Sequence, residues 1–345
     1  QVYIQSGHIK GIVPKTYIPN YGEFYEKRWF VSSTCRTSDF LFLLGDKVPF
    51  SEKLLLDGGS DVIIGTEICE DLWVDSPPSG LLSRAGATII VNPSASNDLI
   101  GKREYRRNLV KMQSGRCRAG YIYASSGAGE SSTDLVFSGH CMIAENGRLL
   151  AESTDIMQDD IMVISVIDIE KCVNDRRKFN SDVWGEVPDI VWEKVFVSGF
   201  PYALPEKVDP YPFVPGDPKE RKNRCMEILN LQAKGLIQRL RATGIEKVVV
   251  GISGGLDSTL ALLVCCIAFD QLGLPRKNIH TITMPGFGTS TKTKGLADEL
   301  IDHLGTTYKV VDITAACTHH LKDIEHALDA VSYTHLRAHE TRGNL

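Results

Sequence analysis

Between Lys247 and Thr259 the chain reads KVVVGISGGLDST. The apolar run Val248-Val249-Val250-Gly251-Ile252 predicts a buried parallel strand, and residues 260–269 predict an apolar helix. The turn between them, Ser253-Gly254-Gly255-Leu256-Asp257-Ser258, then aims backbone N–H groups and the positive end of a helix at one point, which suits a phosphate. Gly254 and Gly255 let that backbone approach closely. The turn is not a Walker A loop, since no Lys follows the second Gly, and it is not a GxGxxG fingerprint. The plainer alternative is a strand-turn-helix junction whose Ser and Asp cap the helix.

A second chemistry is suggested by Gly65-Thr66-Glu67-Ile68-Cys69-Glu70-Asp71-Leu72-Trp73, where a strand ends in a turn bearing a Cys. A thiol at the exit of a buried strand can stand at a sheet edge and act as a nucleophile when a nearby cation lowers its pKa. Glu67, Glu70 and Asp71 act the other way, so a Lys from elsewhere is needed; Lys15, in Pro14-Lys15-Thr16-Tyr17-Ile18-Pro19-Asn20-Tyr21, is the candidate. The alternative is an inert buried Cys. A third stretch, Val91-Asn92-Pro93-Ser94-Ala95-Ser96 followed by Gly101-Lys102, is again a strand end rich in polar groups.

These residues need a scaffold that gathers strand ends. Residues 1–170 read as strand-rich, with runs at 2–4, 41–44, 62–65, 88–91, 120–123 and 161–166. Helical periodicity fits 101–117, with Arg103, Arg106, Arg107 and Arg116 on a polar face. Segments 140–144 and 148–151 flank Glu145-Asn146-Gly147 as a hairpin. Trp184, Pro188, Trp192, Pro201, Pro205, Pro210, Pro212 and Pro215 predict an extended, ordered connector. From Asp217 a helix is expected, with Pro218 first, Leu229, Ala233, Leu236 and Leu240 along one face, and an end near Gly244. Strands at 248–252, 280–284 and 308–312 then alternate with helices at 260–269, 294–303 and 315–328. That alternation predicts a parallel sheet covered by helices, with ligands at the carboxyl ends of its strands, where Ser253 and Met284 fall.

A length of 345 residues allows about two domains. With 43% hydrophobic and 23% charged residues the composition is that of an ordinary folded protein, and a net charge of −5 without a basic block argues against nucleic acid as a partner. Nine cysteines without a CxxC or metal-ligand spacing fit reduced thiols in the cytoplasm. No apolar run reaches the roughly 18 residues a membrane span needs, so no membrane partner is expected.

Ser253 to Ser258 resembles the pyrophosphate loop SGGxDS of the ATP-pyrophosphatase superfamily, whose members cleave ATP between the α- and β-phosphates and adenylylate a carboxylate or an amide-like oxygen. The resemblance implies that Ser253, Gly254, Gly255 and Ser258 hold pyrophosphate and that Asp257 lies beside Mg²⁺. Lys15 with its Pro-Asn-Tyr sequel, the Cys69 turn and the Asn-Pro-Ser-Ala-Ser strand end together resemble the nitrilase-like amidohydrolases, most closely the glutaminase domain of glutamine-dependent NAD⁺ synthetases. By that resemblance Cys69 is the nucleophile, Lys15 the catalytic Lys, and Tyr21, Glu70, Trp73, Ser96 and Lys102 hold glutamine. The Met284-Pro285 loop is similar to one that borders adenine in the same family, and Lys292 or Lys294 is the candidate to reach phosphate.

The fold implied is α/β throughout. A nitrilase-like α-β-β-α sandwich over 1–172 and a Pro/aromatic-rich connector over 173–216 precede a Rossmann-like parallel-sheet ATP-pyrophosphatase domain over 217–330. The activity implied is a ligase that releases ammonia from glutamine and uses ATP, with Mg²⁺, to amidate deamido-NAD⁺, in a cytoplasmic homo-oligomer. The family's general-base Glu lies upstream of its Lys, and residues 1–14 contain no carboxylate, so the base is expected outside this sequence, with Glu23 or Glu26 at most a secondary carboxylate. Residues 331–345, VSYTHLRAHETRGNL, break the pattern and are expected to be non-native, leaving both ends incomplete. An amidase fused to a different ATP-dependent amidating module, or a non-catalytic nucleotide-binding fragment, fits the same residues.

Overall fold

The computed structural model describes residues 1–127, 130, 135–153, 162–179, 187–197, 213–286 and 291–324. The chain divides into two units, Gln1–Glu206 and Lys207–Leu345.

The first unit contains β1 (Val2–Gln5), β2 (His8–Ile12), β3 (Phe40–Leu43), β4 (Asp46–Pro49), β5 (Leu54–Asp57), β6 (Ile63–Thr66), β7 (Ile89–Ser94), β8 (Gly120–Ser125), β9 (Met142–Glu145), β10 (Arg148–Glu152) and β11 (Val191–Lys194). Its helices are α1 (Pro78–Arg84), α2 (Lys102–Cys117) and α3 (Ile169–Lys178). Seven strands form one mixed sheet in the order β10-β9-β8-β7-β6-β5-β11, while β1-β2 and β3-β4 form separate ribbons. Strands β6, β7 and β8 run parallel, so their carboxyl ends share one edge.

Leu54, Leu55 and Leu56 of β5 are all buried because successive side chains leave a strand on opposite faces and both faces are covered. Leu55 joins Leu72, Leu82, Ile90, Val110, Tyr121 and Met142 in the core that carries α1 and α2. Leu54 and Leu56 pack with Val13, Tyr3 and Val191 on the β1-β2 side. Each such leucine contributes about 1.5–3 kcal/mol by its burial. Helices, sheet and strand ribbon thus stack in the α-β-β order of the expected sandwich. The β9-β10 turn has Asn146 and Gly147 at φ +45° and +84°, the left-handed pair that a two-residue hairpin demands.

Three expectations need correction. Residues 162–168 form no strand: Met162, Ile164 and Val166 are exposed and alternate with half-buried neighbours, yet no ladder forms. A period of two reports only which side faces the protein, whereas a strand also needs an open hydrogen-bonding edge. Arg106 does not line a polar surface; it is fully buried, because the face of α2 that bears it meets Asp98 and His140 and not solvent. Finally, the stretch expected as a connector, 173–216, takes in the second half of α3 and the whole of β11, and β11 pairs in parallel with β5. Val191 to Lys194 is a proline-free β-forming run within that stretch, so proline density was a poor guide there.

The second unit contains α4 (Pro218–Thr243), β12 (Val248–Gly251), α5 (Leu256–Leu272), β13 (Ile279–Thr283), α6 (Thr291–Leu304), β14 (Thr307–Val310) and α7 (Thr314–Asp323). The three strands form a parallel sheet in the order β12-β13-β14. Asp217 caps α4 by accepting from Glu220 N at 2.9 Å, Pro218 takes the first helical position, and Gly244 ends the helix in the left-handed region. Ala233 and Ile237 of α4 pack on Val264 and Ala268 of α5, and Leu262, Cys266 and Phe269 of α5 pack with Ile279 and Ile301. Contrary to expectation β12 is not buried on both faces, and Val249 is 67% exposed. It is the sheet's outer strand, and the face bearing Val249 is uncovered among the described residues. Helix α5 starts at Leu256, earlier than expected, because Gly255 is its N-cap and Asp257 and Ser258 enter the first turn. Residues 287–290 and 325–345 lie outside the described residues, as do the side chains of Lys292 and Lys294, the candidates to reach phosphate, and the stretch expected to be non-native.

Candidate active site

In the first unit β6 stops at Thr66 and the chain folds into a 3-10 turn over Cys69–Leu72. Cys69 is half-buried and lies at φ +49°, a left-handed conformation that side-chain-bearing residues adopt at a cost of about 1–3 kcal/mol. Its N–H donates to Asn92 Oδ1 at 3.0 Å, from the end of the neighbouring parallel strand β7.

Each carboxylate beside Cys69 has its own donors. Asp71, buried, accepts from the backbone N–H of Ile68 at 2.8 Å, Tyr17 at 2.7 Å and Thr16 at 3.2 Å; burial raises its pKa against the pull of those bonds. It thereby ties the segment after Lys15 to the Cys69 turn. Lys15 Nζ itself pairs with Glu26 Oε2 at 2.7 Å. Glu70 accepts from the Tyr21 hydroxyl at 2.9 Å, and burial followed by that carboxylate pushes Tyr21 up to about 12. Glu67 is 1% exposed and accepts from Ser79 N at 2.8 Å and from the Tyr121 hydroxyl, while burial pushes its pKa up to about 7.

The opposite wall comes from β7 and α2. Lys102 Nζ donates to Asn97 Oδ1 at 2.5 Å, and Asn97 Nδ2 donates to Glu23 Oε1 at 2.5 Å. The ammonium stands 5.4 Å from the Trp73 ring centroid, and Trp73 stacks on Tyr105 at 5.5 Å. Burial, then Arg106, lowers the Lys102 pKa, while Glu23 and Cys69 act to raise it. Lys102 is thus electrostatically coupled to Cys69, whereas the sequence pointed to Lys15 as the activating cation. The signal for Lys102 was present: Lys102, Tyr105 and Arg106 recur at three- and four-residue spacing, one helical face. Ser96 is buried, and its hydroxyl accepts from Arg106 Nη2 at 3.2 Å. Arg106 also donates to Asn97 O at 3.1 Å and to Asp98 Oδ1 at 3.3 Å, so one buried guanidinium holds this wall.

In the second unit the carboxyl end of β12 carries the other cluster. Gly254 lies at φ +81°, which lets the chain turn back so that Gly255 N donates to Ser253 Oγ at 3.3 Å. Ser253 N donates to Ser258 Oγ at 3.3 Å, and Ser258 Oγ donates to Gly255 O at 3.1 Å. Ser253, Gly254, Gly255, Asp257 and Ser258 thus share one turn opening α5, whose N-terminal amides and dipole favour an anion. Met284 follows β13, is half-exposed, and its methyl lies 3.8 Å from where a Cβ on Gly251 would stand. The parallel register of β12 and β13 brings the two strand ends together.

Residues 228–344 match the NAD synthase family. Over 337 residues the chain is 40% identical to the glutamine-dependent NAD(+) synthetase of Mycobacterium leprae, covering 94% of this chain and 49% of that protein. The chain is homologous to the glutamine-dependent NAD(+) synthetases. It spans about half the length of the curated relatives it matches. The enzyme of that name from Aquifex aeolicus is 28% identical over 333 residues, covering 96% of this chain and 52% of the other. A crystal structure of a glutamine-dependent NAD(+) synthetase from Cytophaga hutchinsonii covers 95% of this chain and 52% of that chain at 20% identity, with a TM-score of 0.41.

An alignment covering 94% of the chain takes in both the Cys69 and the Ser253 turns. Among the described residues no group of three or more His, Cys, Asp or Glu gathers to hold a metal ion, and Asp257 is the acidic residue in the first turn of α5. That donor set fits Mg²⁺ shared with phosphate, since Mg²⁺ is commonly held by one or two carboxylates with phosphate oxygens. No helix among the described residues is long and apolar enough to cross a membrane.

Proposed function

We propose that the chain carries the ammonia-releasing and ATP-handling parts of a glutamine-hydrolysing NAD⁺ synthetase, a ligase that forms a C–N bond. The observation that carries this is the presence, in one polypeptide, of a half-buried Cys69 in a left-handed turn and an SGGLDS turn at the mouth of a parallel sheet. Homology along both units supports the pairing.

In the first unit Cys69 Sγ attacks the amide carbon of glutamine and Lys15 stabilises the developing oxyanion; the thiol proton passes by way of a general base to the departing nitrogen, ammonia leaves, and water cleaves the resulting thioester to release glutamate. Tyr21 and Glu70, joined by their hydrogen bond, Trp73, Ser96 and Lys102 line the glutamine site; Lys102 and Glu70 offer opposite charges to its carboxylate and ammonium. In the second unit ammonia attacks the adenylylated nicotinate carbonyl of deamido-NAD⁺, forming the amide and displacing AMP. There the amides of Ser253, Gly254 and Gly255 with Ser258 Oγ hold the pyrophosphate that leaves when the nicotinate carboxylate of deamido-NAD⁺ is adenylylated, and Met284 borders the adenine. Mg²⁺ at Asp257 would neutralise charge on that pyrophosphate. A cytoplasmic, homo-oligomeric enzyme accompanies this function by analogy with the family.

The test is glutamate release from glutamine and AMP release from ATP with deamido-NAD⁺ and ammonia, each by the purified chain. Glutamate release abolished by C69A is expected. Release that persists undiminished in C69A refutes the assignment of the nucleophile. AMP formed equally well with unrelated carboxylates refutes the acceptor.

A further inference from the structure

The left-handed turn at Cys69 has a buried support that no catalytic step above uses. Asn92, Tyr121 and Glu67 are 0%, 0% and 1% exposed, and all three are polar. Cys69 N donates to Asn92 Oδ1 at 3.0 Å, Asn92 Nδ2 donates to the Tyr121 hydroxyl oxygen at 3.0 Å, and that hydroxyl donates to Glu67 Oε1. Glu67 Oε2 accepts from Ser79 N at 2.8 Å, and Asn92 Oδ1 also accepts from Ser94 Oγ at 2.8 Å.

The direction of every bond in this chain follows from its far end. Ser79 N–H can only donate, so the facing Glu67 oxygen accepts, and above a pH of about 7, where Glu67 is ionised, its other oxygen accepts as well. The Tyr121 proton therefore points to Glu67, leaving a lone pair toward Asn92. Asn92 must answer with its NH₂ edge, and its carbonyl oxygen is left facing Cys69 N–H. With the amide turned over, its NH₂ would confront the Cys69 N–H, which can only donate.

We propose that Glu67 is a positioning residue that acts through Tyr121 and Asn92 to hold the Cys69 backbone in its left-handed conformation, keeping the thiol aimed at the substrate opening. The proposal rests on Cys69 being the nucleophile. Glutamine loses or gains no contact when the relay breaks, so the effect falls on the chemical step and on thiol presentation.

The test compares Y121F, E67Q and the double variant in the full chain. Gln at 67 has one acceptor where the relay needs two, and Phe at 121 removes the bridging hydroxyl; both keep side-chain volume. One readout is kcat and KM for glutamate release; the other is the rate at which iodoacetamide alkylates Cys69, followed by mass spectrometry of its peptide. Each single variant is expected to lower kcat about 10- to 100-fold, the scale of a small misplacement of a reacting group, with KM within about twofold. Alkylation of Cys69 slows at least about fivefold, and the double variant is no worse than the worse single, since one relay can be cut only once. Losses that multiply in the double variant, as for two separate packing defects, overturn the relay. So does alkylation at the parent rate in either single variant. Should Y121F fail to fold, E67Q decides by the same two readouts. Alkylation needs neither glutamine nor a general base, so the relay is judged by that readout whatever the glutaminase activity of the parent chain, and undiminished glutamate release in C69A would refute the proposed function separately.

Discussion

Acid stability of the first unit should be governed by two buried groups with opposite signs. His140 Nδ1 accepts from Arg106 Nη1 at 3.0 Å and its Nε2–H donates to Glu152 Oε1 at 2.7 Å, so the imidazole has no site for a second proton. Burial, reinforced by Arg103 and Arg106 and only partly offset by Glu152, pushes His140 down to about 4. An unfolded histidine binds its proton near 6.5, so as pH falls from about 6.5 to about 4 the unfolded chain takes up the proton first and stability drops. The gap of ~2.5 pH units corresponds to about 3 kcal/mol at most. Glu67 works the other way. Burial raises it to about 7, so between about 7 and 4.5 the folded state binds the proton first and acidification stabilises the fold, again by about 3 kcal/mol. In the parent protein the two slopes largely cancel. H140Q should therefore gain about 2–3 kcal/mol relative to the parent on going from pH 7 to pH 4.5, and E67Q should lose a similar amount over the same interval. Urea unfolding followed by tryptophan fluorescence reads this unit alone, because all 4 tryptophans, Trp29, Trp73, Trp184 and Trp192, lie within Gln1–Glu206. Ordinary surface carboxylates cancel in the difference between variant and parent. Stability-against-pH curves that stay parallel for H140Q, E67Q and the parent would refute the assignment of buried, oppositely shifted groups.

R106M should lower first-unit stability by about 3–5 kcal/mol, because it strips a buried guanidinium from Asp98, His140, Ser96 and Asn97; urea unfolding measures it, and a change under 1 kcal/mol contradicts the network. G254A forces a Cβ into φ +81° and should cost about 1–2 kcal/mol in the second unit by thermal unfolding, with weaker pyrophosphate binding by calorimetry. D257N should weaken ATP binding about tenfold when Mg²⁺ is present, roughly 1.4 kcal/mol, and leave it nearly unchanged when Mg²⁺ is chelated. An equal loss in both conditions would make Asp257 a helix cap and not a metal ligand.

Local sequence determined many of the elements and both candidate turns. Strands β6, β7, β8, β13 and β14, helices α2 and α4 and the Asn146-Gly147 hairpin follow from periodicity and from residues whose backbone preferences are nearly context-free. The SGGLDS turn was equally legible, since its Ser, Gly and Asp all act within six consecutive positions. What only the tertiary structure decided is where side chains distant in sequence meet. Residues 162–168 alternate like a strand but find no edge, and Arg106 looked solvent-facing until α2 met Asp98 and His140. Likewise, nothing local joins Glu67 to Tyr121 or Lys102 to Cys69. Side-chain hydrogen bonds reach about 3 Å and charge couplings about 10 Å, so both depend on the packing of strands and helices that sequence patterns specify only one at a time.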